Sequence, residues 1–216
     1  MSMTTLTRPS VEAEPRWADV ATDDQITSTV AALRERGFEV QVVADGDAAR
    51  EAVLALIPDG SEVHQASSTT LDEIGVTNAI NTSSRLTAVR PRMFAMDRAT
   101  QGAEIRKLAS APAYMVGSVH AITQTGSLVT ASKTGSQLAP YAFGAGKLIL
   151  VAGTNKIVSD LDQAFQRIDQ HSLPLEDARA RAAYGMGSSV DKVLVTHSEI
   201  VPGRTTLILI RESLGY

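Results

Sequence analysis

The chain has 216 residues, 44% of them hydrophobic, which is enough for one sizeable core and one domain. A net charge of −4 gives no electrostatic case for nucleic-acid binding. There is no cysteine, which removes disulfides, Cys-ligated zinc, iron–sulfur clusters and thiol catalysis.

Residues 1–16, rich in Thr, Pro and Glu, read as a disordered N-terminal arm ahead of a single domain over 17–216. Trp17 tacks the end of that arm onto the body. The arm lacks the apolar stretch of a signal peptide, and the longest purely apolar run, Ala52–Ile57, is too short to span a bilayer. The expectation is a soluble, cytoplasmic protein with no membrane span and no nucleic-acid partner.

Thr22-Asp-Asp-Gln25 has capping-box spacing, and Ile26, Val30 and Leu33 continue a helix that Gly37 stops. Phe38–Val43 alternates as a strand. Ala49, Ala52, Val53 and Leu56 form the stripe of a second helix, ended by Pro58-Asp-Gly60. Glu62–Gln65 is a short strand. Ser67-Ser-Thr-Thr70 then precedes a helix capped by Thr69 with Asp72, or by Thr70 with Glu73. The segment Arg85–Lys107 is basic and carries a helix from Asp97 to Ala109; it reads as a solvated face, with anion binding or subunit contact as the other reading.

Tyr114–Gly117, Ile122–Thr123 and Ser127–Thr130 read as strands, with Gly126 in a turn. Leu148–Ala152 is a continuous apolar run, as buried parallel strands are. Ser159 and Asp162 mark the next helix start, with Val158, Leu161, Phe165 and Ile168 as its buried stripe. One more helix follows Pro174 and ends before Gly185. Val193–Thr196 and Thr205–Ile210 are the last strands, and Val201-Pro-Gly-Arg204 between them is a β-turn. Strands alternating with helices predict an α/β protein with a mainly parallel sheet flanked by helices.

Chemistry concentrates in loops rich in donors. The hydroxyl run Ser67, Ser68, Thr69, Thr70 sits at a strand-to-helix junction, where free amides favour an anion. Gly153-Thr-Asn155-Lys156 follows a buried strand at its carboxyl end, where open α/β sheets bind ligands, and Lys156 supplies a point charge. Lys133-Thr-Gly135-Ser136 sets another cation beside backbone donors, without P-loop spacing. Gly117 closes one strand, and Gln124-Thr125-Gly126 turns between two others. Gln124 orients a ligand by hydrogen bonds but is no base. His64, His120, His171 and His197 are too dispersed for a metal site, and no cofactor is implied.

Five blocks resemble the LUD domain, the lactate-utilisation protein family. They are Ser67–Gly75, Gly117–Val129, Leu148–Val158, Asp160–Ile168 and Pro202–Tyr216. The resemblance implies a three-layer fold like that of ribose-5-phosphate isomerase, CoA transferases and folate cyclo-ligases, with ligands at the strand ends. It implies that Ser67–Thr70 is the loop contacting phosphate or carboxylate, and it sets Asn155 and Lys156 on the family's N-K pair. Gln124 falls where many members carry an acidic residue, and His120 where an asparagine is common. The cysteine cluster common in the nearest subgroup is replaced by Ala182–Ser189, which has none.

The leading expectation is a LUD-type protein that binds a small anionic metabolite, a carboxylate or phosphate. It would be an accessory component of lactate or other organic-acid utilisation, with protein partners in an oxidation complex. One alternative is an isomerase or acyl-CoA transferase-like enzyme using Glu73, Asp72 or Glu104 as base. The other is an assembly module that docks through Arg85–Lys107 and the outer strands.

Overall fold

The computed structural model describes residues 12–216. The first eleven residues of the expected arm lie outside the described residues. The Glu14 amide donates to the Gln170 carbonyl at 2.9 Å, and Pro15–Ala18 form a short 3-10 turn that buries Trp17.

The strands are β1 (Glu39–Val43), β2 (Glu62–Gln65), β3 (Thr87–Ala88), β4 (Tyr114–Gly117), β5 (Ala121–Thr123), β6 (Leu128–Ser132), β7 (Lys147–Gly153), β8 (Ile157–Val158), β9 (Lys192–Thr196) and β10 (Thr205–Ile210). The helices are α1 (Asp23–Glu35), α2 (Gly46–Ala55), α3 (Thr69–Glu73), α4 (Val76–Asn81), α5 (Val89–Phe94), α6 (Gly102–Ser110), α7 (Leu161–Arg167) and α8 (Leu173–Tyr184). A six-stranded sheet runs in the order β1-β10-β7-β4-β2-β3 and is parallel at every pairing. This is the parallel α/β architecture that the alternation of strands and helices predicts.

Period-two alternation in β7 explains the layers. Leu148, Leu150 and Ala152 face a core shared with Ile26, Val30 and Leu33 of α1, while Ile149 and Val151 face a core shared with Ala49 and Val53 of α2 and with Leu71 and Ile80. Both faces being covered, the strand is apolar throughout. A second, smaller sheet, β8-β5-β6-β9, packs beside α1 and is antiparallel at β5–β6 and β6–β9. The last two strands therefore part company: β9 joins the small sheet, and β10 enters the large one between β1 and β7. The turn between them is as expected, with the Arg204 amide donating to the Val201 carbonyl and Gly203 at φ +67°.

Three local readings shift. Ser68 caps α3, its hydroxyl accepting from the Leu71 amide, so the cap falls one residue before Thr69. α6 starts at Gly102 rather than at Asp97, because the Asp97 carboxylate takes the Ala99 amide and the Thr100 hydroxyl into a separate turn. Asp160 caps α7, and of the expected stripe Val158 and Ile168 are buried with Leu161 packed against them, while Phe165 departs from it. Phe165 is 43% exposed, and Ala164 and Arg167 are buried instead. α7 then runs through a π-helical segment, Ile168–Ser172, into α8. Among the described residues no helix is long and apolar enough to cross a membrane.

Candidate functional site

Four adjacent parallel strands, β2, β4, β7 and β10, deliver their carboxyl ends to one edge of the large sheet. The loops that leave them carry Ser67–Thr70, Ser118, Asn155–Lys156 and Leu214–Tyr216. A cavity of about 450 Å³ opens beside these loops, closed on its far side by His120, the 131–136 loop and α8.

Lys156 forms part of the cavity wall while being only 1% exposed. Its Nζ donates to Thr70 Oγ1 at 2.9 Å, Ser118 Oγ at 3.1 Å and the main-chain oxygen of Tyr216, the last residue, at 3.4 Å. Burial, and after it the nearby Arg167 guanidinium, hold the amine well below the ordinary lysine range.

Arg167 lies behind this wall and is fully buried. It donates to the backbone carbonyls of His120 (2.6 Å), Asn155 (3.3 Å) and Trp17 (3.3 Å), and to Ser172 Oγ (3.1 Å). Burial lowers its pKa to about 10, so it stays charged at neutral pH. The His120 ring reaches the cavity. Its Nδ1 accepts the Ala131 amide at 3.1 Å, which puts the ring proton of the neutral form on Nε2. Burial, with Lys156 and then Arg167, lowers its pKa to about 3.

The remaining walls are polar. Arg90 of α5 donates to Ser67 Oγ at 2.8 Å. The Tyr216 hydroxyl donates to Glu176 Oε2 at 2.8 Å, and Arg179 grips the same carboxylate through two hydrogen bonds of 2.7 Å. Tyr141 donates to the Ser118 carbonyl and accepts from its amide, which fixes Ser118 from behind. Gly117 makes this approach possible, since a Cβ there would sit 1.6 Å from Tyr141 Oη.

The cavity is electropositive. Arg90, Lys133, Lys156 and Arg179 line it, against Asp72 and Glu176. Arg179 and Glu176 pair with each other, and among the described residues no side-chain carboxylate pairs with Arg90, Lys133 or Lys156.

Of the residues singled out in the sequence, Ser67, Ser68, Thr69, Lys133, Ser136 and Lys156 line the cavity. Thr70 lies just beneath them as a partner of Lys156. Gly135 shapes the 131–136 loop through its amide, which donates to Ser132 Oγ at 2.8 Å. Asn155 faces the chain's last described residues, holding the Leu214 amide and the Gly215 carbonyl, and Gly153 leaves room for that passage. The turn Gln124-Thr125-Gly126 is not brought to the cavity. The Thr125 carbonyl accepts from Arg36 of α1, and Gly126 abuts the backbone of Ala32. Of the three acids considered as bases, Asp72 reaches the cavity, Glu73 is taken by the Gly215 amide, and Glu104 pairs with Lys107 on α6. Among the described residues no group of three or more His, Asp or Glu side chains is placed to hold a metal ion.

Sequence reasoning missed Ser118, Tyr141, Arg167, Glu176, Arg179 and Tyr216, and placed Arg90 only within the basic segment Arg85–Lys107, whose second reading was anion binding or subunit contact. Arg167 had a usable signal: with His171 and Ser172 it puts polar groups on the buried face of an otherwise amphipathic helix.

Residues 26–210 match the LUD domain, and the chain belongs to that family. No curated protein matches the chain. Among solved structures, the chain is similar to a DUF162 family protein from Deinococcus radiodurans. That likeness has a TM-score of 0.54 at 10% identity and covers 89% of this chain and 99% of that one. At that identity the likeness is one of fold.

Proposed function

We propose that this LUD-domain protein binds a small anionic metabolite, a carboxylate or phosphate, in the cavity at the carboxyl ends of β2 and β4. Its place would be as an accessory component of organic-acid utilisation, with lactate the candidate that the family name suggests. The observation that carries this reading is the set of cavity cations without a side-chain carboxylate partner, Arg90 above all, beside the hydroxyls of Ser67, Ser68 and Thr69. Unpaired cations in a partly enclosed, donor-rich cleft favour an anion over a neutral guest.

The test is thermal unfolding against lactate, sugar phosphates, CoA thioesters, folates and nucleotides. A ligand at a hundred times its Kd adds about 2.7 kcal/mol, or about 5–10 °C in Tm for a chain of this size. Arg90→Ala and Thr69→Ala should each remove most of the shift. No shift from any class, or a shift that survives Arg90→Ala, overturns the assignment.

The exposure of Asp72 to the cavity favours a second reading, an isomerase or acyl-transferase-type enzyme with Asp72 as base. That reading requires turnover that disappears in Asp72→Asn.

A further inference from the structure

An anion seat on Arg90 and the serine loop leaves one donor of the cavity wall unused. The His120 residue is pinned by its neighbours. Its Nδ1 accepts the Ala131 amide at 3.1 Å, its own amide donates to the Val129 carbonyl at 2.9 Å, and its carbonyl accepts from Arg167 at 2.6 Å. A backbone amide can only donate, so Nδ1 presents its lone pair and the ring proton lies on Nε2. A second proton, on Nδ1, would break the bond to Ala131 and set a third cation beside Lys156 and Arg167. Burial, with those two charges, lowers the ring pKa to about 3. Among the described residues no group accepts from Nε2–H, yet Nε2 is not sealed in the interior with its hydrogen bond unmade, as Nδ1 of His64 is. The ring lines the cavity, and its N–H is open to whatever fills it. Two hydroxyls of the same region are already spent: Ser118 donates to the Val119 carbonyl and Thr70 to the Leu214 carbonyl, and both accept from Lys156.

We propose that His120 Nε2–H donates to an uncharged carbonyl or hydroxyl oxygen of the bound acid, so that the cavity takes oxo and hydroxy acids in preference to plain carboxylic acids of the same size. This rests on the anion-binding reading and names the ligand class for that site. The two ends of such a ligand need different partners. A carboxylate is held best by a cation, which Arg90 supplies beside Ser67. The His120 ring, with its other nitrogen engaged, offers one donor, no acceptor and no charge. It pairs with the lone pair of a carbonyl or hydroxyl oxygen. It opposes an ammonium, which has only protons to offer. An analogue that fills the space with a methylene leaves the N–H desolvated and unpaired, which is how a site built around a hydrogen bond rejects ligands that lack the matching group. The Ala131 amide also keeps the ring from exchanging its donor for an acceptor, so the preference cannot invert.

The experiment titrates the full chain at neutral pH with pyruvate and lactate against propionate, and with levulinate against pentanoate, so that the oxygen is offered both next to the carboxylate and further along. Affinities are read by calorimetry. In parallel, the chain carrying isotope-labelled histidine is followed by NMR, with the His120 ring identified by its contact with the Ala131 amide. The expected result is an oxygen-bearing acid, in at least one series, bound at least about fivefold tighter than its plain counterpart. That acid should shift the His120 Nε2 resonance, and the plain acid should not. His120→Phe keeps a ring and removes the donor, and should bring the ratio to near one, mainly by weakening the oxygen-bearing acid. The ratio and the resonance are read on the unaltered chain, so they decide the matter even where His120→Phe fails to fold. Equal affinities within both series, or a preference that leaves Nε2 unmoved or survives in His120→Phe, overturns the role of His120 and leaves the anion site standing. No binding of any of these acids overturns the ligand class together with the carboxylate reading of the seat.

Discussion

Nη1 of Arg167 donates to the backbone carbonyl of His120 at 2.6 Å, and so ties the helix behind the cavity to the segment that supplies its histidine. The same guanidinium also holds the carbonyls of Asn155 and Trp17, so one side chain spans three separate stretches of chain. Replacing it with Met strands buried acceptors that cost about 1–3 kcal/mol each, offset in part by removing a desolvated charge. The net expectation for Arg167→Met is a loss of about 3 kcal/mol in urea unfolding. A loss below about 1 kcal/mol would mean that those carbonyls find other partners.

Gly117→Ala should be disruptive for a steric reason. Its Cβ would lie 1.6 Å from Tyr141 Oη and 2.5 Å from Cζ, so the ring must move and both of its hydrogen bonds to Ser118 break. Overpacking of this kind costs about 1–3 kcal/mol or more. In Tyr141→Leu the obstruction is gone, and adding Gly117→Ala should cost little further. A double-mutant cycle should therefore give a coupling of at least about 1 kcal/mol, and simple additivity would show that the clash is relieved elsewhere.

Much of the scaffold was legible in the sequence because it is set by local rules. The capping box at Thr22–Gln25 is present on both sides, and the unbroken apolar run of β7 is buried on both faces. The Ser67–Thr70 loop and Lys156 reach the same cavity because parallel strands deliver their ends to one edge. What was not legible depends on tertiary approach. Arg90 looked like one of several cations on a solvated segment, and only the packing of α5 near β2 turns it toward Ser67. Gln124 sits in a donor-rich turn like the others, but its sheet aims that turn at α1. Tyr216 closes the Pro202–Tyr216 block without a donor cluster to mark it as a site residue, and its role comes from where β10 sits in the sheet.

The segment after β10 is held by side chains rather than by a strand. Asn155 binds Leu214 and Gly215, and the Glu73 carboxylate accepts the Gly215 amide at 2.7 Å. Hydrogen bonds of this sort contribute about 1 kcal/mol, so Asn155→Ala and Glu73→Ala should each speed amide exchange at Leu214 and Gly215 roughly fivefold. Tyr216 would then leave the cavity wall more often, and the Tm shift produced by a bound anion should shrink in the same variants. Faster exchange with an unchanged ligand shift would show that Tyr216 is not part of the seat.

Acid should destabilise the fold through two histidines before most carboxylates titrate. Burial, and then Arg90, lower the pKa of His64 from 6.5 to about 4, and its Nδ1 has no hydrogen-bond partner. His120 falls from 6.5 to about 3. Well above pH 6.5 both rings are neutral whether the chain is folded or not, and they add no pH dependence. As pH falls below 6.5 the unfolded chain takes up two protons that the folded chain refuses until pH 4 and below. Stability therefore falls by up to about 1.4 kcal/mol per pH unit for each ring across that window. His120→Asn removes one of the two, so the slope of urea-unfolding free energy between pH 6.5 and about 4 should drop by roughly one proton relative to the parent chain. Other titrating groups act alike in both proteins and cancel in the difference. Equal slopes would mean that the His120 ring takes up its proton in the folded chain as it does in the unfolded one, which its position between Lys156 and Arg167 argues against.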